Sequence, residues 1–373
     1  MSVSICVYAI CKDEAKFAER WAKSMGEADR VVCLDTGSSD GTADILRENG
    51  VEVSSATVSP WRFDTARNVS LDMALATGCD VYVCTDLDEY FLPGWADAIR
   101  EAWDPATHTR AWYRYDWARS ERGERVCGFT YDKVHDASWR WAYPVHETLV
   151  RDGSPDYPEG EVCRPGFDRV HLVHTQDLGK DRKSYLPLLK LRIEENPSDP
   201  YGRVYMAREY LMARRYDEAI GFVDECLSSD VAFSDENKSR LLQYKAEALW
   251  DADDSAGAIE ACMRANKLDR LAREPLVLMA RIHIDDGDFA LAKGSLEQAL
   301  RDSVRRNMWF EVNSYWTWET YCWLGVCCWN LGEYLEAAGG FAMALSEAPE
   351  EKILRDDLEM AVESLKGKLG QGR

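Results

Sequence analysis

Residues 81–89, Val81-Tyr-Val-Cys-Thr-Asp-Leu-Asp-Glu89, join an apolar run to three carboxylates within four residues. Asp80–Thr85 reads as a buried strand, and the chain leaves it directly into Asp86-Leu-Asp-Glu89. Carboxylates at i and i+2 beyond a strand terminus turn toward one point as the chain bends. Hard divalent cations take such oxygen ligands, and Mg²⁺ or Mn²⁺ held this way bridges to substrate phosphates. A solvated acidic turn looks the same in isolation. Position separates the two, because ligands of α/β sheets bind at the carboxyl ends of strands.

The flanking chain alternates strand and helix signals, the mark of a mainly parallel sheet with helices on its faces. Val3–Ala9, Arg30–Asp35 and Val51–Thr57 read as strands. Glu14–Met25, Thr42–Asn49, Phe63–Thr77 and a segment from Pro93 to Trp103 read as helices, the first from the spacing of Phe17, Trp21 and Met25. Arg30–Asp35 ends in the turn-rich Thr36-Gly-Ser-Ser-Asp-Gly41, where Asp35 has the acceptor oxygens to hold a base or ribose. Asp40 with Thr42 suits a plain helix cap. Further on, Arg110–Trp117 and Arg125–Val134 suggest a hairpin, residues 150–170 a loop, and Val170–His174 a last strand.

Four segments stand in a fixed order: Ala9-Ile-Cys-Lys-Asp-Glu14, Leu34-Asp-Thr-Gly-Ser-Ser-Asp-Gly-Thr42, Phe63-Asp-Thr-Ala-Arg-Asn68 and Thr85-Asp-Leu-Asp-Glu89. In that order they resemble the family-2 glycosyltransferases of GT-A fold, over roughly residues 3–175. The likeness is strongest to the subgroup joined to tetratricopeptide repeats. The resemblance implies that Asp35 contacts the nucleotide base, usually uracil, with backbone around Ala9 and Cys11 completing the pocket. Arg67 would lie near the base or diphosphate; the plainer alternative is an ion pair with Asp64. Asp86 would face ribose or metal, and Asp88 would be the direct ligand of Mn²⁺ or Mg²⁺. His174 is the candidate further metal ligand and Glu147 the candidate general base, with Glu89 and Asp132 as rivals. For His146 and His174 the competing reading is a satisfied buried imidazole. The activity implied is inverting transfer of a hexose from a UDP-sugar, of the UDP-glucose type, to a hydroxyl or thiol of a protein, peptide or glycan. The acceptor side stays open, with a modified nucleic-acid base as one alternative and an inactive repeat scaffold as another.

Residues 112–143 mix Trp112, Tyr113, Tyr115, Trp117, Trp139, Trp141 and Tyr143 with Arg110, Arg114, Arg119, Arg122, Arg125 and Arg140. Alternating aromatics on a strand suit core packing, and aromatic and Arg faces also suit sugars or splayed bases.

From Lys183 onward the chain is helical and internally repeated. Tyr216, Ser255, Phe289 and Tyr334 open equivalent amphipathic helices, and the step of 34 residues from Ser255 to Phe289 matches the tetratricopeptide period. Each is preceded by a helix with one small residue for close packing, Ala207, Ala246, Ala280 and Gly325. The expected organisation is an α/β nucleotide-sugar-binding domain over residues 1–182 and an all-α tetratricopeptide-like superhelix over 183–373. The repeats offer a surface for a partner or a second copy. Trp309–Trp318, in the longest gap between repeats, reads as a capping contact or a docking surface.

The composition, 46% hydrophobic and 30% charged, is that of a folded globular chain. Net charge is −21, divided evenly as −10 over residues 1–185 and −11 over the rest, which opposes duplex nucleic acid or an anionic membrane as partner. Twelve scattered cysteines form no CxxC pair and suit reduced thiols. No run of about 18 apolar residues marks a membrane span, and the N-terminus reads as a first strand rather than a signal peptide, so a cytoplasmic setting is expected.

Overall fold

A computed structural model describes residues 2–119, 125–156, 158–166, 169–175, 177, 184–306 and 311–371. The chain divides into two compact units between Arg192 and Ile193.

The first unit carries β1 (Ile5–Cys11), α1 (Ala15–Met25), β2 (Arg30–Asp35), α2 (Thr42–Glu48), β3 (Glu52–Ser55), α3 (Phe63–Leu75) and β4 (Val81–Cys84). There follow β5 (Glu89–Phe91), α4 (Trp95–Ala102), β6 (Arg110–Arg119), β7 (Arg125–His135), β8 (Arg140–Ala142), β9 (Thr148–Val150), β10 (Val162–Cys163), β11 (His171–His174) and α5 (Tyr185–Glu195). The main sheet runs β3-β2-β1-β4-β7-β6-β11-β5, with β10 also on β6 and β8-β9 as a separate pair. From β3 to β4 every neighbour is parallel. β7 joins β4 and β6 antiparallel, β11 is parallel to β6, and β5 is antiparallel to β11.

All seven residues of β1 are buried because both faces are covered. Its odd positions Ile5, Val7, Ala9 and Cys11 pack with Phe17, Trp21 and Met25 of α1 and Trp95 and Ile99 of α4. Its even positions Cys6 and Tyr8 pack with Leu71 and Ala74 of α3 and with Trp139, Trp141 and Leu149 of the small pair.

One connection shapes the sheet. β5 follows β4 after only four residues, Thr85–Asp88, yet stands four places away in the strand order. On a flat sheet four places are about 19 Å. The five Cα steps from Cys84 to Glu89 span at most about 18 Å fully extended, and here they include a turn closed by Glu89 N–H donating to the Asp86 carbonyl. The sheet therefore curls, bringing its β11-β5 edge back to the end of β4. Neither β5 nor β10 was expected from the sequence. β5 is short, and β10 lies inside the proline-rich stretch read as loop. The expected hairpin turn at 120–124 lies outside the described residues.

The division between the compact units falls within α5. The first turns of α5 pack on the first unit: Tyr185 meets Phe63 and His146 edge-on at 6.1 and 5.6 Å, and Arg192 donates to the Val145 and His146 carbonyls at 3.1 and 2.7 Å.

The second unit consists of helical hairpins: α6 (Pro200–Met212) with α7 (Tyr216–Ser228), α8 (Asp235–Asp251) with α9 (Ser255–Leu268), α10 (Glu274–Asp285) with α11 (Phe289–Asp302), and α13 (Trp318–Asn330) with α14 (Tyr334–Glu347). A short α12 (Asn313–Trp316) precedes α13, and α15 (Lys352–Gln371) closes the series. Tyr216, Ser255, Phe289 and Tyr334 are each the first residue of a second helix. Two residues before each lies a left-handed residue, Arg214, Asp253, Gly287 or Gly332, so the four turns share one geometry. This is a tetratricopeptide-like repeat region. The 303–317 insertion is stitched inward: Trp316 Nε1 donates to Glu274 at 2.8 Å, Arg281 donates to the Tyr315 hydroxyl at 2.8 Å, and Arg306 pairs with Asp269 at 2.6 Å. For Tyr315, Trp316, Arg305 and Arg306 the contact is internal packing, while Trp309 and Phe310 lie outside the described residues.

The last hairpin is the tightest. A Cβ placed on Gly340 would lie 2.9 Å from the backbone nitrogen of Gly325, and one on Gly325 would lie 2.8 Å from the buried Phe341 ring. Gly339, its neighbour on α14, is exposed with nothing within 4 Å of such a Cβ. Two adjacent substitutions should therefore act oppositely in urea unfolding. Gly339→Ala is expected to stabilise by about 0.5–1 kcal/mol through helix propensity, and Gly340→Ala to destabilise by about 1–3 kcal/mol through overpacking. Equal effects would rule out the close helix contact.

Candidate functional site

The parallel strands β1, β2 and β4 end side by side, and their carboxyl ends carry the expected donor-side residues. Asp35 closes β2, is 5% exposed, and accepts from the Ser38 backbone at 2.9 Å. Burial opposes its ionisation, but hydrogen bonds from Ser38 hold the carboxyl below the usual range. The Cys11 carbonyl is taken by the Thr36 backbone and hydroxyl, both at 2.9 Å, and the Ala9 side chain is in the core. β4 pairs with β1 only as far as Tyr8. Beyond Tyr8 the β1 edge has no strand neighbour on that side among the described residues. Asp40 is a structural tie, accepting from the Thr42 backbone at 3.0 Å and the Ala15 backbone at 2.9 Å.

The Asp86–Glu89 turn is clamped from within. Asp86 N–H donates to Glu89 Oε2 at 2.9 Å, the Tyr115 hydroxyl donates to Glu89 Oε1 at 2.9 Å, and Thr175 N–H donates to the Asp88 carbonyl at 2.8 Å. Glu89 is 1% exposed, and burial pushes its carboxyl above the ordinary range. Both of its oxygens are engaged, so as a rival base it fails on access. Asp132, the other rival, pairs with Arg110 at 3.1 Å on the opposite face of β7 from Tyr131 and Lys133.

Arg67 on α3 is the hub. Its guanidinium, 4% exposed, donates through Nη2 to Asp86 Oδ1 at 2.7 Å, through Nε to Glu147 Oε1, and through Nη1 to the Cys84 sulfur at 3.2 Å. The expected alternative partner Asp64 is bound instead by Arg62 at 2.8 Å. Two carboxylates drawn from separate segments thus meet on one buried cation. Lys133, which sequence reasoning missed, lies 3.4 Å from the other Asp86 oxygen. Its signal was a lysine at an inward position of a strand, two residues after Tyr131. Among the described residues, no hydrogen bond is made to Glu147 Oε2.

His174 ends β11, its Nδ1 donating to the Trp117 carbonyl at 2.9 Å, which leaves Nε2 facing Asp88 Oδ2 at 3.5 Å. Burial would lower this imidazole, but Asp88 raises it above its ordinary value. The expected ligand trio is not assembled. Asp88 and His174 come together, while Asp86 is turned toward Arg67 and Lys133. Among the described residues no group of three His, Cys, Asp or Glu side chains is placed to hold a metal ion. A carboxylate and an anchored imidazole nonetheless suit a divalent ion that takes most of its remaining ligands from water and phosphate.

Three other histidines are engaged in the packing of the fold. His171 Nε2 meets the buried Asp116 at 2.8 Å, and the His146 ring packs on Tyr185. His135 Nδ1 donates to the Asp136 carbonyl at 2.7 Å, so its Nε2 accepts from the Tyr8 hydroxyl at 2.6 Å, which in turn accepts from Trp141 Nε1 at 2.9 Å. The Trp141 ring lies under Arg67, 5.3 Å from its guanidinium carbon.

The chain is thus an α/β unit with a carboxylate-rich cluster at its strand ends, joined to a tetratricopeptide-like helical region. No family model and no curated protein matches it. Among solved structures it is similar to the MamA protein (16% identity over 44% of this chain and 84% of that one, TM-score 0.35). It is also similar to TTC0263, a thermophilic TPR protein of Thermus thermophilus (19%, 48% and 88%, TM-score 0.36). A third is YrrB, described as a TPR protein with an unusual peptide-binding site (16%, 48% and 84%, TM-score 0.38). No helix among the described residues is long and apolar enough to cross a membrane.

Glu89→Gln should remove the acceptor for Asp86 N–H while leaving one for Tyr115. Amide exchange at Asp86 is expected to speed up by about fivefold, for a net hydrogen bond near 1 kcal/mol. Unchanged exchange would remove the clamp. Burial lowers the His135 imidazole to about 3, against about 6.5 unfolded. Its contribution to stability is complete above about pH 6.5 and is lost as pH falls toward 3, since only the unfolded state takes up the proton in that window. On going from pH 7.5 to pH 5 in urea unfolding, His135→Gln is expected to lose less stability than the wild type.

Proposed function

We propose that the first unit is a metal-dependent glycosyltransferase of the family-2, GT-A type, transferring a hexose from a UDP-sugar to a hydroxyl or thiol acceptor with inversion. The observation that carries this reading is the buried Arg67 joining Asp86 to Glu147, with Asp88 and His174 paired beside them. Strongly buried charge that serves only stability is readily replaced by apolar packing, and perturbed ionisable groups concentrate at functional sites.

Asp35 and the open β1 edge beyond Tyr8 would receive the nucleoside. Asp88 and His174 would hold Mn²⁺ or Mg²⁺, which supplies charge neutralisation for the departing diphosphate. Lys133 and Arg67 add fixed positive charge around Asp86. Glu147 is the base: Arg67 orients it through Oε1, leaving Oε2 to take the acceptor proton as the nucleophile bonds to the anomeric carbon and the bond to the diphosphate oxygen breaks. Asp86 acts through Arg67 and Lys133 rather than as a ligand. The hairpin repeats, which stack into extended binding surfaces in proteins of this kind, would receive a partner polypeptide. Transfer to nucleic acid is disfavoured, because Arg110 and Arg114 are paired with Asp132 and Asp116 within the fold. An inactive scaffold would have no use for the Arg67 cluster.

The test is Mn²⁺ binding by paramagnetic resonance together with UDP-glucose hydrolysis. Asp88→Asn and His174→Ala are expected to weaken Mn²⁺ binding, with Asp88→Asn lowering hydrolysis on the order of 100-fold. Asp86→Asn should retain Mn²⁺ binding. Glu147→Gln should abolish transfer while sparing Mn²⁺ binding. Hydrolysis equal in wild type and Asp88→Asn would sink the assignment.

A further inference from the structure

The hairpin of β6 and β7 carries one feature that the donor chemistry does not use. The register sets Tyr113 against Tyr131 and Tyr115 against Phe129, with Lys133 two residues beyond Tyr131 on the same face, and past a bulge at Asp116–Ala118 the Trp117 ring meets the same His174 ring that Tyr115 meets. The rings form a continuous ladder: Tyr115 to Tyr131 4.9 Å, Tyr115 to Phe129 5.2 Å, Phe129 to Tyr131 5.5 Å. At its inner end Tyr113 and Tyr115 are buried core, whereas Trp117, Phe129 and Tyr131 are only half-buried. The ladder therefore leaves part of an aromatic surface in solvent.

That surface adjoins the candidate site. The Trp117 ring is stacked on His174, centroids 6.0 Å apart and planes 13° from parallel. Lys133 Nζ, 3.4 Å from Asp86 Oδ2, stands over the Tyr131 ring 4.7 Å from its centroid. A half-open aromatic face beside hydrogen-bonding carboxylates has a definite chemical complement. It suits an uncharged ring with an apolar C–H face and hydroxyls around its edge. The C–H face stacks on the rings, and the edge hydroxyls donate to carboxylates such as Asp86 and the unengaged Glu147 Oε2. A nucleic-acid strand would bring phosphates to the same acidic cluster and find the described hairpin arginines Arg110 and Arg114 already paired.

We propose that Trp117, Phe129 and Tyr131 form an acceptor platform for a pyranose ring, so that the group extended is itself a carbohydrate. This rests on the transferase reading for its chemistry, while the binding of a saccharide to the platform can be measured without it.

Two experiments on the full chain separate these. With UDP-glucose and Mn²⁺, the acceptor panel is cellobiose, lactose and N,N′-diacetylchitobiose, a Ser- and Cys-containing peptide, and an oligothymidylate. Transfer to a saccharide is expected, with Phe129→Ala and Phe129→Leu each raising its KM and lowering the ratio of transfer to hydrolysis by about tenfold, the size of one lost ring stack. Phe129→Leu keeps apolar volume, so agreement between the two variants excludes a folding defect. Transfer confined to the peptide or the oligothymidylate overturns the proposal, as does an unchanged KM in both variants. Saturation-transfer NMR with the same disaccharides, without nucleotide or metal, should show saccharide contact that Phe129→Leu removes. Saccharide contact in a protein that hydrolyses no sugar nucleotide would leave the platform standing and overturn the transferase reading; no contact with any disaccharide would overturn the platform.

Discussion

The four-residue link from β4 to β5 constrains the first unit more than any single side chain. Because Thr85–Asp88 is too short to cross a flat sheet, the β11-β5 edge is pulled round to the end of β4. The curl places His174 across the ladder from Glu89, and hence Nε2 opposite Asp88. It also brings Tyr115 onto Glu89, so the turn that displays Asp86 and Asp88 is held by a buried carboxylate rather than by solvent. Remove the curl and the site has its left half only.

On that frame the charges sort themselves by access. Glu89 and Arg67 are buried, and each has its hydrogen-bonding atoms engaged by neighbours. Burying a guanidinium costs several kcal/mol unless it is well paired, and Arg67 has two carboxylates for the purpose. The consequence is positional: Glu147 arrives from the β8-β9 connection, Asp86 from the end of β4, and one cation fixes both. Asp86 thereby joins an ion cluster with Lys133, while Asp88 Oδ2 faces His174.

The helical unit is governed by a different constraint, the closeness of its helices. A small residue on each first helix lets the second approach, and at Gly325 and Gly340 the backbones come near enough that a methyl group has no room. The insertion before α13 turns its aromatic side chains Tyr315 and Trp316 inward to Glu274 and Arg281. Those aromatics are internal stitching.

The sequence by itself marked most of the helices and parallel strands and the carboxylates that end those strands. Periodicity marked α1 through Phe17, Trp21 and Met25, and the repeat step marked Tyr216, Ser255, Phe289 and Tyr334 as helix starts, because both are local patterns of side-chain spacing. The strand-end carboxylates Asp35, Asp86 and Asp88 were legible for the same reason. What the tertiary structure alone decided was pairing: Arg67 with Asp86 and Glu147 rather than Asp64, His174 with Asp88 but not Asp86, Glu89 as a clamp and Lys133 as a member of the cluster. Those contacts join residues up to 86 positions apart, from Asp88 to His174. They follow from the curl of the sheet, which no local spacing encodes.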